Sequence, residues 1–159
     1  MTIEEPVDFD SLDAQLVALI SDEPDALANS ANFVALLYAA LPDVNWLGIY
    51  VRRGDELVLG PFQGKPACVH IPIGQGVCGT AAQKLETLRI DNVHEFAGHI
   101  ACDIASNSEI VVPLVRDSKL VGVLDIDSPS RARFSAADQL GIEKLCRSFE
   151  RSIGTIGWL

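Results

Sequence analysis

Residues 109–127, EIVVPLVRDSKLVGVLDID, constrain the fold more than any other stretch of the chain. Two runs rich in β-branched and aliphatic residues flank the polar pair Asp117-Ser118, the pattern of two strands around a tight turn. Strands joined so closely must run antiparallel, because a parallel neighbour needs a long crossover. Alternation along LVGVLDIDS (120–128) sends Val121, Val123, Asp125 and Asp127 to one face, and Leu120, Gly122, Leu124 and Ile126 to the other. The two aspartates then stand about 7 Å apart on a face otherwise lined by valine. Such a pair costs free energy unless an ammonium group, a metal or a shared proton compensates it. The alternative is a strand that ends by Asp125 with both groups solvated.

Glu109 depends on hairpin register. A three-residue loop pairs Arg116 with Leu120, so that opposed positions sum to 236 and Glu109 faces Asp127 on one side. A two-residue loop pairs Arg116 with Lys119, and Glu109 then points to the other face. Both registers remain open, and Pro113 favours an edge or a bulge.

The remaining pattern surrounds this hairpin with more strands and with helices. Leu12, Leu16, Leu19 and Ile20 recur at helical spacing over 9–20, with Asp10 or Ser11 as cap. A second helix is expected from about Asp25 to Leu41, with Leu27, Phe33, Val34, Leu37 and Leu41 as its stripe and Pro42-Asp43 as its stop. Residues 45–53 and 56–62 read as a strand pair around Gly54-Asp55, and 67–73 as a third strand. A short helix over 74–86 and a brief strand over 87–91 follow. Residues 92–107 lack a period and read as a long loop, a kind of segment that often carries function. The last helix is expected from Ser135 to the C-terminus, with Leu140, Ile142, Leu145, Phe149 and Ile153 in its core face. Short connections and segregated helices predict an α+β domain with an antiparallel sheet covered on one face.

The formal net charge is -10 and 48% of residues are hydrophobic, so the chain reads as a globular protein that repels nucleic acid. No apolar run reaches the length of a membrane span, and the acidic start MTIEEPVDFD lacks the basic region of a signal peptide. A cytoplasmic location is expected, where structural disulfides are rare. The cysteines stand at 68, 78, 102 and 146, and no two form a C-x-x-C motif, so no metal site is expected. Cys102 lies in the long loop between His99, Asp103 and Glu109, where a reactive thiol would meet substrate. Cys68 falls in a strand pattern, Cys78 in a glycine-flanked helix and Cys146 in an apolar helix face, all of which suit buried cysteines. The glycines of IPIGQGVCG match no phosphate loop, and His94 and His99 read as polar loop residues, with pairing to a cysteine or metal binding as the alternative. Trp46 and Tyr50 share a strand face with Gly48 between them, an aromatic wall with a gap.

The stretches NWLGIY, LVLGPFQGKPACVHIPIGQGVCGTA, HEFAGHIACDIASNSEIVVPL and GVLDIDSP resemble the free methionine-(R)-sulfoxide reductase family, a catalytic branch of the GAF domains. The resemblance runs from about residue 30 to 150. It implies one GAF-like domain over 1–159, with a core of about 25–157, built on a six-stranded antiparallel sheet with flanking helices, often as a homodimer. It further implies thiol-dependent reduction of free L-methionine-(R)-sulfoxide without a cofactor, recycled by thioredoxin. By matched motif, Cys102 in HIACD is the attacking cysteine, Cys68 in ACVHIP the resolving one, and Cys78 in GVCGTA a third family cysteine. Glu109, Asp125 and Asp127 match the family's site carboxylates, and Trp46 and Tyr50 its apolar pocket. Pro66 and His70 depart from the pattern near the resolving cysteine. The implied chemistry is a sulfenic acid on Cys102, resolved to an intramolecular disulfide. The alternative is a GAF module that binds a small ligand or senses redox state without turnover.

Overall fold

The computed structural model describes residues 5–99 and 105–153. In chain order these form α1 (Phe9–Ile20), α2 (Ala26–Ala40), β1 (Trp46–Arg53), β2 (Glu56–Gln63), β3 (His70–Pro72), α3 (Gly76–Lys84), β4 (Leu88–Ile90), β5 (Ser108–Arg116), β6 (Lys119–Ser128) and α4 (Ala136–Glu150). The six strands make one antiparallel sheet in the order β3-β2-β1-β6-β5-β4, so the expected α+β architecture stands.

One face of the sheet carries the larger core. Leu47, Ile49 and Val51 of β1, Ile110, Val112 and Leu114 of β5, and Leu124 and Ile126 of β6 pack there against α1, α2 and α4. Phe33 of α2 stacks on Phe149 of α4 with ring centroids 4.6 Å apart, which ties the helices to each other. The opposite face is not bare, as segregated helices would leave it: α3 lies there and packs Val77, Ala81 and Ala82 beside Leu57, Ile71, Val111 and Val123.

Several local expectations shift. Asp8 caps α1 in place of Asp10 or Ser11, its carboxylate accepting the Ser11 amide at 2.9 Å. Asp25, the expected start of α2, is its cap, and its carboxylate accepts the Ala28 amide at 2.8 Å. Leu19, Leu27 and Leu140 are exposed. Leu19 sits on the rim of its stripe, Leu27 in the first turn of α2, and Leu140 on the helix side opposite Ile142, Leu145 and Phe149. The last helix stops at Glu150, where the Ser152 amide and hydroxyl both bond to the Phe149 carbonyl. The third strand shortens to His70–Pro72, which leaves Cys68 in the preceding loop.

The β5–β6 hairpin uses both candidate registers. Asp117 and Ser118 each take a left-handed conformation (φ 50° and 62°) in a two-residue turn, and Arg116 pairs with Lys119. Val115 pairs with Leu120, but Leu114 pairs with Gly122, so Val121 is an extra residue that bulges the strand. Beyond it the pairs sum to 236 and Glu109 faces Asp127. The bulge also corrects the alternation: Val121 joins the helix-covered core, and Leu120 takes the face with Val123. Pro113 faces Val123 above the end of β4, and its carbonyl accepts from Arg147 at 2.9 Å, so the ladder loses no donor there.

Candidate active site

The face under α3 holds a pocket lined by Trp46, Tyr50, Pro66, Ala67, Ile71, Gln75, Gly76, Val77, Cys78, His99, Ser106, Glu109, Asp125 and Asp127. Strand register builds its floor. Asp127 lies between Trp46 and Glu109 across three strands, and Asp125 lies one row on, between Gly48 and Val111. The strand therefore continues through both aspartates, and they are not a solvated strand end. Glu109 and Asp125 are buried, while Asp127 is half-buried nearer the rim.

Cys78 stands in the first turn of α3, over these carboxylates. Its thiol donates to Glu109 Oε1 at 3.9 Å. Gly79 brings the helix this close: a Cβ there would lie 2.5 Å from the Pro72 carbonyl oxygen. Burial, then the charges of Asp125, Glu109 and Asp127, push the Cys78 thiol well above its ordinary range, so it is a neutral donor. Burial is also the first cause that raises Glu109 well above the usual carboxylate range, with Asp125 and Asp127 adding to it. Asp125 is raised by burial, partly offset by hydrogen bonds with Glu109 and Cys78. Its Oδ1 has no hydrogen-bond partner among the described residues. His99 Nε2 lies 3.9 Å from Glu109 Oε2, and burial and then His94 lower its affinity for a proton.

The aromatic wall is closed rather than gapped. The Trp46 ring lies over Gly48, where an added Cβ would come within 2.5 Å of it. Trp46 stacks on Tyr50 and Phe62, with centroids 5.9 and 5.4 Å apart. Both pocket aromatics also hold the loop that carries Cys68. Trp46 Nε1 donates to the Lys65 carbonyl at 3.0 Å, and the Tyr50 hydroxyl to the Cys68 carbonyl at 2.9 Å.

The four cysteines separate. Cys68 is disulfide-bonded. Cys78 and Cys146 are free and buried, Cys146 within the helix-covered core as its helix face predicts. Cys102 lies outside the described residues. Gln75 and Ser106 are pocket residues that the sequence does not single out, because tertiary packing alone brings their segments together, and His99, a polar loop residue by its sequence, lines the pocket with them.

Residues 10–153 match the GAF domain model. A free methionine-R-sulfoxide reductase of Escherichia coli is 51% identical over 147 residues, which cover 92% of this chain and 89% of that protein. This chain belongs to the free methionine-R-sulfoxide reductase family of GAF-domain proteins. Solved members of that family superpose along most of their length. The fRMsr of Staphylococcus aureus in its reduced form matches with a TM-score of 0.91 at 48% identity, covering 96% of this chain and 99% of that one. The free methionine-R-sulfoxide reductase of Neisseria meningitidis in complex with its substrate matches with a TM-score of 0.90 at 39% identity, covering 96% and 92%.

Proposed function

We propose that this protein reduces free L-methionine-(R)-sulfoxide to L-methionine, with Cys102 as the attacking thiol and Cys68 as its resolving partner. The reading is supported chiefly by one observation: a disulfide-bonded Cys68 adjoins a pocket that sets three carboxylates against an aromatic wall. The free state of Cys78 and Cys146 favours Cys102 as the other half of that bridge.

The pocket's chemistry suits an amino acid sulfoxide. Among the described residues no lysine or arginine lines it, so its carboxylates call for a cationic guest such as an α-ammonium group. Trp46 and Tyr50 offer apolar surface to the methyl end. Asp127, nearest the rim, suits the ammonium, and Glu109, whose burial holds it protonated above the usual carboxylate range, suits the sulfoxide oxygen. The Cys102 sulfur attacks the substrate sulfur as the sulfoxide oxygen takes a proton. The resulting hydroxyl passes to the Cys102 sulfur while the S–O bond and the transient S–S bond break, so that methionine leaves and Cys102 remains as sulfenic acid. The Cys68 thiol displaces water from that sulfenic acid to form the disulfide. Exchange with a dithiol such as thioredoxin restores both thiols. The cycle needs a reducing compartment, in keeping with the cytoplasm. Among the described residues no helix is long and apolar enough to cross a membrane. The chain acts as one domain and assembles as a homodimer in this proposal.

The test couples methionine formation to NADPH oxidation through thioredoxin and thioredoxin reductase. Turnover is expected with the free R epimer, and little with the S epimer or with acetylated, amidated methionine sulfoxide. Equal rates on the blocked substrate, or no methionine at all, overturn the reading.

A further inference from the structure

Three donor groups meet in the pocket from three separate elements. The Cys78 sulfur of α3 and one carboxylate oxygen each of Glu109 on β5 and Asp125 on β6 lie within 4.8 Å of one another, all buried. Asp125 is 6% exposed, and its Oδ1, in the pocket wall, has no hydrogen-bond partner among the described residues. An ammonium group can satisfy the oxygens, but it cannot accept the Cys78 thiol proton or bind its sulfur. A thiolate-seeking cation satisfies both.

We propose that this pocket binds one zinc-class divalent cation through Cys78 Sγ and the carboxylates of Glu109 and Asp125, and that cation and substrate exclude each other. Tetrahedral zinc, at about 2.0–2.3 Å from its ligands, sets donor atoms about 3.3–3.8 Å apart. Cys78 Sγ and Glu109 Oε1 already stand 3.9 Å apart, so small side-chain rotations complete the set. His99 Nε2, 3.9 Å from Glu109 Oε2, lines the same pocket and can serve as a fourth ligand. Sulfur and the low donor number select against magnesium and calcium, which take six or more oxygens. On binding, the cation displaces the thiol proton to solvent, and no electrons move. A bound cation occupies Glu109, the carboxylate assigned above to the sulfoxide oxygen, together with Asp125 beside it. The spacing 78, 109 and 125 resembles no metal motif, because the site exists only across the folded sheet.

The exclusion rests on the function proposed above, whereas the binding does not. The test therefore uses the oxidised protein, in which Cys68 is in its disulfide and cannot act as a ligand. Cobalt(II) is titrated as a spectroscopic probe, with zinc(II) as competitor and circular dichroism to verify folding. One equivalent of cobalt should give a thiolate-to-metal charge-transfer band, which zinc removes. Cys78→Ser should abolish the band, and Asp125→Asn should weaken binding about tenfold or more. Free methionine sulfoxide should displace the cobalt. No band in the wild-type protein, or a band that survives in Cys78→Ser, overturns the site. A band indifferent to saturating methionine sulfoxide in a protein that turns this substrate over overturns the exclusion alone.

Discussion

Glu109 concentrates the pocket's electrostatics in one side chain. It holds its proton more tightly folded than unfolded, because burial and then Asp125 and Asp127 raise it above its ordinary value of 4.5. Its contribution to stability is therefore complete below the unfolded range and declines as pH rises through the folded value. Asp125, raised by burial, acts in the same direction. Glu109→Gln should then melt higher than the wild type at pH 8, by a few degrees if the gain is about 1–2 kcal/mol. The difference should vanish near pH 4, and calorimetry across that range reads it. The same variant should lose about 10²–10⁴-fold in kcat if Glu109 delivers the proton. Asp127→Asn should chiefly raise KM, as expected for an ammonium anchor. Steady-state kinetics of both variants separates the roles, and unchanged constants in either would remove that residue from the mechanism.

Among the elements, the β5–β6 hairpin decides which carboxylates meet. Its legibility in the sequence was partial for a physical reason. Alternation placed Asp125 and Asp127 together because both lie beyond the bulge, where the period of two is unbroken. Turn length and far-end register looked like alternatives because nothing local marks Val121 as the extra residue. Cys78 beside Glu109 was not legible at all, since their meeting depends on how α3 docks on the sheet. Leu140 was misread because its apolar character follows no helical face, whereas Ile142, Leu145 and Phe149 were read correctly. Deleting Val121 should let Leu120 and Gly122 run on as a regular hairpin with the Glu109–Asp127 pairing intact. The chain should fold and retain activity, less stable by about 1–3 kcal/mol for the lost valine in denaturant melts. A folded but inactive deletion would show that the bulge does more than set register. Asp117→Asn with Ser118→Gly should stabilise the turn, because that pair adopts left-handed conformations more readily.

For the molecule as a whole, the sheet divides stability from chemistry. The larger core, which includes the fully buried Cys146, lies under α1, α2 and α4, and the pocket lies on the other side. Cys146→Ala should therefore lower stability by about 1–2 kcal/mol while leaving the reductase cycle unaffected, as melting and turnover measured together would show. Trp46 crosses this division of labour. Its indole N–H is bonded to the Lys65 carbonyl, three residues before the disulfide-bonded Cys68, and its ring faces the pocket. An indole so placed is an optical gauge fitted to the redox loop. In a Trp158→Phe protein, Trp46 is the sole tryptophan. Its emission should shift when the Cys68 bridge is reduced and return when methionine sulfoxide reoxidises it, so that each half of the cycle can be followed by stopped-flow fluorescence without a label.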